Sequence, residues 1–379
     1  MKQSLLLLFS IVLLVFACTR KIQQQPEDQP TSYDTVTTRI EPEVRKPRNV
    51  ILMIGDGMGL GQITAGMYAS GNKLQIERFP IVGLHKSHAF DQLITDSAAG
   101  ATAFACGKKT YNGAIGVTPD TLACTTLLEL AEEKGYATGL VATSTIVHAT
   151  PASFIAHQKQ RKMYEAIAAD FLRTDIDFFI GGGKKYFDRR ESDDRNLYLE
   201  LQQKGYLVSD YFRQELYEAP ADPQRNYAYF TSDADPLPVN QGRDYLPLAT
   251  QMAMDHLEER PGKGFFLMVE GSQIDWGGHA NNESYIISEM QEFDRVLGMV
   301  LDFAEKEGNT LVVTTADHET GGFSIVPPAR MDSLATAFTT DYHTATMIPV
   351  FAYGPGAEAF SGIYENTAIF YKIRAAMHW

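Results

Sequence analysis

The sequence predicts an α/β fold, with a mostly parallel central sheet covered by helices on both faces. Three observations carry this expectation. Short continuous apolar runs recur along the chain, as strands buried on both faces require. Segments with helical spacing separate them. Carboxylates, histidines and glycines follow the ends of several runs, and open α/β sheets bind ligands at the carboxyl ends of their strands.

The apolar runs fall at 49–54 (NVILMI), 138–142, 178–180, 265–269, 310–314 and 349–352. Helical patterns are clearest at 122–134 and 284–305. The folded domain is expected to span 48–379, which is ample chain for a large core. The polar stretch 184–243 is expected to be irregular, an insertion of surface loops over the functional edge of the sheet.

The first 18 residues read as a targeting segment. Lys2 supplies a positive start, and the apolar run 5–16, broken only by Ser10, is too short to span a bilayer comfortably. It ends at Val15, Phe16, Ala17 and Cys18. This resembles a bacterial lipobox, in which the cysteine becomes the lipidated N-terminus; the alternative is an ordinary signal peptide cut near Ala17. Residues 19–47 are rich in Gln, Pro, Thr and charge, so a flexible tether is expected there. The expected location is exported, as a periplasmic or outer-membrane lipoprotein whose lipid is its one membrane contact. A net charge of -14 argues against a nucleic-acid partner. Cys106 and Cys124, both read as lying in buried helical segments, do not make a disulfide framework and are expected to be free thiols.

Asp56 follows the first run, Glu270 the run 265–269, and Asp317 with His318 the run 311–316. One acidic residue after a strand is commonly just a turn former. Three such sites, one with a histidine beside it, ask for a ligand. Asp275 and His279 stand four apart, so in a helical turn they share a face, which suits two ligands on one metal. His343, taken singly, reads as structural. The segment 95–103 (TDSAAGATA) reads as a capped, closely packed helix start. Its functional reading puts the Ser97 hydroxyl at a helix N-terminus, where free N–H groups favour phosphate oxygens.

Four motifs, 49–59 (NVILMIGDGMG), 95–107 (TDSAAGATAFACG), 270–279 (EGSQIDWGGH) and 314–321 (TTADHETG), resemble those of the alkaline phosphatase family, in the family's order. The likeness runs from about residue 49 to 379 and includes 149–152 (ATPA) and the Arg161-Lys162 pair. It implies hydrolysis of small-molecule phosphate monoesters through a phosphoserine, at a site with two zinc ions and one magnesium ion, in a protein that is usually a homodimer. By this resemblance Ser97 is the nucleophile and a ligand of the second zinc. Asp275, His279 and His343 hold one zinc; Asp56, Asp317 and His318 hold the other. Asp56, Thr150 and Glu270 hold magnesium, and Arg161 grips the phosphate. Histidine with carboxylate suits zinc, and an all-oxygen set suits magnesium. His148 and Trp276 stand where the family varies between branches. The resemblance places them beside the substrate, although Trp276 reads equally as a packing residue. Together these two positions put the metal preference of the third site in question. His85, His88, His157, His256 and His378 match no ligand position and are read as structural or solvated.

Rival readings are a sulfatase, a phosphodiesterase, and a silent metal-stabilised binding protein. Sulfatases need a Cys or Ser in a C/S-x-P-x-R run, and Ser97 is followed by Ala-Ala-Gly-Ala. Phosphodiesterases share both zinc sets but resemble this chain less around Thr150, Arg161 and Glu270. A silent descendant need not keep a complete ligand set.

Overall fold

A computed structural model describes residues 45–379; the expected targeting segment, Cys18 and nearly all of the tether lie outside the described residues. The main strands are β1 (Asn49–Gly55), β2 (Ile81–Lys86), β3 (Ala137–Thr145), β4 (Phe178–Gly182), β5 (Leu207–Asp210), β6 (Tyr227–Phe230), β7 (Phe265–Gly271) and β8 (Thr310–Thr315). Four two-residue strands follow: β9 (Glu319–Thr320), β10 (Ser324–Ile325), β11 (Thr336–Ala337) and β12 (His343–Thr344). Then come β13 (Ile348–Tyr353) and β14 (Gly362–Glu365). Ten of these strands form one sheet, ordered β14-β2-β13-β8-β1-β7-β3-β4-β6-β5. Within it β13 runs antiparallel to both neighbours, and the other pairings are parallel.

Burial on both faces explains the apolar runs. Side chains alternate across a strand, so Val50, Leu52 and Ile54 enter one core with Phe104, Phe154 and Phe179. Ile51 and Met53 enter the other, with Met290, Phe293 and Leu297. The second core is roofed by the helix Glu283–Glu307, opened by the Asn282 side chain accepting from the Tyr285 N–H and closed by Gly308 at φ 79°. The first is roofed in part by the helix Ser97–Cys106, whose small residues are all buried.

Several details differ from the sequence expectation. The helix expected over 122–134 spans Leu127–Glu133 instead, because Thr126 and Glu129 form a reciprocal capping box that starts it late. Cys124 therefore lies in an extended stretch and is half-buried, whereas Cys106 ends its helix and is buried. The stretch 184–243 is irregular only in part. It contains the helices Lys185–Asp188 and Leu197–Gln203 and the strands β5 and β6, which extend the sheet beyond β4. Both strands are only four residues long, too short to give a long apolar run. Residues 231–243 do reach the carboxyl end of the sheet: Asp235 accepts from the Thr145 N–H at 2.9 Å, and the Pro236 carbonyl accepts from Gln273 at 3.1 Å.

Candidate active site

Register brings the carboxylates together. β1 lies between β7 and β8, parallel to both, with Ile54 opposite Glu270 on one side and Thr315 on the other. Asp56, Glu270 and Asp317 therefore leave adjacent strand ends at the same level, and all three are fully buried. The helix Gln273–His279 follows β7 and carries Asp275 and His279. Gly57, at φ 73°, lets it sit close: a Cβ there would lie 2.6 Å from the Asp275 Cα. His343 arrives on β12, which pairs with β9 so that His343 faces Thr320.

Two sets of ligand-type atoms converge. In the first, the Nε2 atoms of His279 and His343 face each other at 3.1 Å, with Asp275 Oδ1 at 3.4 and 3.5 Å from them. His279 Nδ1 donates to the Asp341 carbonyl at 2.6 Å, and His343 Nδ1 donates to the Thr95 carbonyl at 2.8 Å. Nδ1 of each ring is thus committed as a donor, and the two Nε2 atoms face each other and a carboxylate. Such an arrangement is repulsive unless a cation lies among the three atoms. In the second set, His318 Nε2 stands 3.3 Å from Asp317 Oδ2 and 3.6 Å from Asp56 Oδ1, with Ser97 Oγ at 3.3 Å. Thr320 Oγ1 donates to Asp275 and accepts from His318 Nδ1, which leaves the His318 Nε2 lone pair facing the carboxylates. Burial holds His318 well below its ordinary pKa, so the ring is a neutral donor of that lone pair.

A third set joins His148 to Asp56 and Glu270, with ligand-type atoms within 4.8 Å of one another. Thr150 stands beside Glu270, and its hydroxyl is fully buried. Both oxygens of Asp56, one of Asp317 and one of Glu270 are likewise buried without partners. Unpaired buried acceptors are costly. Burial, then the neighbouring carboxylates, push Asp56 well above the usual carboxylate range; burial pushes Glu270 up to about 8 and, with Asp275, Asp317 up to about 7. This donor set, carboxylates with imidazoles whose Nε2 atoms face inward, fits divalent metal ions. His148 is held down to about 3 by burial and by Arg161, so it too is neutral. Arg161 Nη2 lies 3.3 Å from His148 Nε2. A neutral imidazole has one lone pair, so His148 can serve Arg161 or a third cation, not both.

Ser97, 1% exposed, is the first residue of its helix; Asp96 is the cap, accepting from the Ala99 N–H at 3.0 Å. The other Asp96 oxygen accepts from Arg161 Nη1 at 3.1 Å. Gly100 lets this helix approach β8's end, since a Cβ there would sit 2.9 Å from Asp317 Cβ. Trp276 meets His148 edge to face at 6.0 Å and is partly exposed, so it forms a wall of the site as well as packing. All the expected site residues of the folded domain gather at one end of the sheet.

The alkaline phosphatase family profile matches residues 47–336. The chain belongs to the alkaline phosphatase family. It is 35% identical to alkaline phosphatase 3 of Bacillus subtilis, over 88% of this chain and 89% of that one. The structure of alkaline phosphatase from the Antarctic bacterium TAB5 superposes with a TM-score of 0.84 at 43% identity, covering 89% of this chain and 99% of that one. A TAB5 variant with a histidine replaced by glutamate, described with magnesium in its M3 site, matches at 42% identity with the same TM-score and coverage. The chain is thus a phosphoric monoester hydrolase with clusters suited to metal cofactors.

Sequence reasoning missed three residues of this phosphatase's site. Asp96 was visible as a cap, but its grip on Arg161 spans 65 positions. Thr320 bridges the Asp275 and His318 clusters, and only its place two residues after His318 could have drawn notice. Glu319 accepts from Gln62, from the Gly322 and Phe323 N–H groups and from Thr344, which pins β9 and β12 beside both clusters.

Proposed function

We propose that the chain cleaves phosphate monoesters through a phosphoserine at Ser97, with zinc held by Asp275, His279 and His343, zinc held by Asp56, Asp317 and His318, and magnesium held by Asp56, Thr150 and Glu270. The carrying observation is the Ser97 hydroxyl 3.3 Å from His318 Nε2, at a helix N-terminus and beside carboxylates that lack partners. When bound, the ions lower the pKa of the serine hydroxyl and neutralise charge on the leaving oxygen. The charge count supports three of them. Three divalent ions carry six charges against four carboxylates, since Arg161 is paired with Asp96. The surplus of two matches a monoester dianion.

Ser97 Oγ attacks phosphorus while the bond to the leaving oxygen breaks, giving phosphoserine and the alcohol. Water then cleaves the phosphoserine and restores the hydroxyl. Arg161, aligned by Asp96, holds phosphate oxygens with its planar fork, and N–H groups at the start of the Ser97 helix face the same oxygens. Trp276 and His148 wall the pocket.

Ser97→Ala is expected to lower kcat by on the order of 10⁴-fold or more with the fold retained. Quenching wild type in acid with a labelled monoester should leave phosphate on Ser97. Label on another residue refutes the assignment.

The motif ending at Cys18 supports export with a lipid on that residue and a tether through residue 47, and the family likeness supports a homodimer. Mass spectrometry of the native N-terminus and light scattering test these; an unmodified Cys18 or a monomer at micromolar concentration would exclude each in turn.

A further inference from the structure

Cys106 ends the helix that begins at Ser97 and is 3% exposed. Its thiol donates to the Cys124 carbonyl at 3.2 Å, which brings the two cysteines side by side across 18 positions of chain. Both are free in the structure. Cys124 is the more exposed partner, in the extended stretch before Thr126. Its N–H donates to the Gly116 carbonyl at 3.1 Å, and the same carbonyl accepts from His157 Nδ1 at 2.7 Å. The other nitrogen of His157 pairs with Glu129 at 2.9 Å. An imidazolium, its carboxylate and two thiols therefore share one small region at the far end of the Ser97 helix.

We propose that Cys106 and Cys124 form a modification site, oxidised by an external disulfide to an intramolecular disulfide that ties the end of the Ser97 helix to the neighbouring extended segment.

The two thiols are unequal in the way such a step requires. Burial opposes charge on His157, but Glu129 and the Gly116 carbonyl outweigh it and raise the ring to about 9, so it is cationic at neutral pH. The hydrogen bond from Cys106, with His157 close by, lowers the Cys124 thiol, while burial pushes Cys106 well up. The thiolate thus forms at the accessible sulfur, and the buried sulfur keeps its proton until it is needed. Cys124 attacks one sulfur of the donor disulfide, breaking its S–S bond and expelling the other donor sulfur as a thiolate. Cys106 then attacks Cys124 Sγ, forming the internal bond and expelling the second donor sulfur; the Cys106 proton goes to the departing thiolate. Two protein thiols are oxidised, and the donor disulfide is reduced to two thiols. The bond closes a loop across 18 positions, which restricts the unfolded chain. This inference does not depend on the reaction proposed for Ser97.

Full-length wild type is incubated with oxidised glutathione, quenched in acid, denatured, and alkylated with or without prior reduction. Peptide mapping should find Cys106 joined to Cys124 without reduction, and both alkylated only after it. The thermal midpoint should rise by roughly 4–8 degrees and return on adding dithiothreitol, and Cys124→Ser should not respond to either reagent. His157→Gln should slow oxidation several-fold at pH 7 while leaving the final product the same. Two alkylated cysteines in the unreduced sample, or glutathione left on Cys124 unresolved, would overturn the proposal.

Discussion

Arg243, Glu289 and Glu292 are as thoroughly buried as the carboxylates around Asp56, with side chains 2% exposed, yet the two clusters balance their charge differently. In the first, one guanidinium bonds both carboxylates, and the Val239 N–H donates to Glu289 at 2.8 Å. One negative charge is left over, and burial accordingly lifts Glu289 to about 7 despite Arg243. In the second, Asp56, Glu270, Asp275 and Asp317 converge, and the neighbouring arginine is already held by Asp96. The first cluster is nearly closed on its own and pins the 231–243 loop to the Glu283–Glu307 helix. The second is short of several positive charges and is built to take them from outside.

Metal removal should produce the largest contrast. Exhaustive chelation should cut monoester turnover by on the order of 10³-fold or more, with recovery on zinc plus magnesium. Full activity in protein verified as metal-free would break the comparison. Asp56→Asn should next separate the clusters by stability. Because burial and the neighbouring carboxylates disfavour charge on Asp56, the metal-free variant should be more stable than metal-free wild type in alkaline buffer by about 1–3 kcal/mol. It should also lose most of the rise in thermal midpoint that zinc confers on wild type. A lower midpoint in both states would make Asp56 structural instead.

Arg243→Met should do the reverse, since it removes the cation from a cluster that has its own. A stability loss of about 3–5 kcal/mol is expected from denaturant unfolding, with kcat little changed. Unchanged stability would mean that the ion pairs contribute nothing net. The smallest effect concerns pH. Glu289 has its pKa raised in the fold from 4.5 to about 7, so between these values the native state holds more protons than the unfolded chain. Its contribution to stability is therefore greatest below about 4.5 and is lost as pH rises to about 7. Glu289→Gln should flatten the fall in unfolding free energy across that window, and an unaltered slope would place the proton elsewhere.

How much was legible follows the same division. Asp56, Glu270 and Asp317 could be picked out because each follows a buried strand, and their convergence needed only parallel neighbours in register. His343 had no such marker. It reaches the site through β12, two residues long, whose pairing with β9 has no sequence signature of its own. The outer strands β5 and β6 have no clear signature in the sequence, because short strands at a sheet's end carry too few residues for a clear period.

The sequence by itself determined the class of fold and the end of the sheet that works, because burial on two faces demands apolar runs and leaves ligand-type residues only beyond them. Through the family motifs it also pointed to which residue types meet there. Only the tertiary structure decided which nitrogens face inward, that Asp96 rather than solvent holds Arg161, and that Thr320 bridges two clusters. A polar side chain reads the same in sequence whether it meets water or a partner 65 residues away. That choice is made by the packing of remote backbone segments, which the local pattern does not encode.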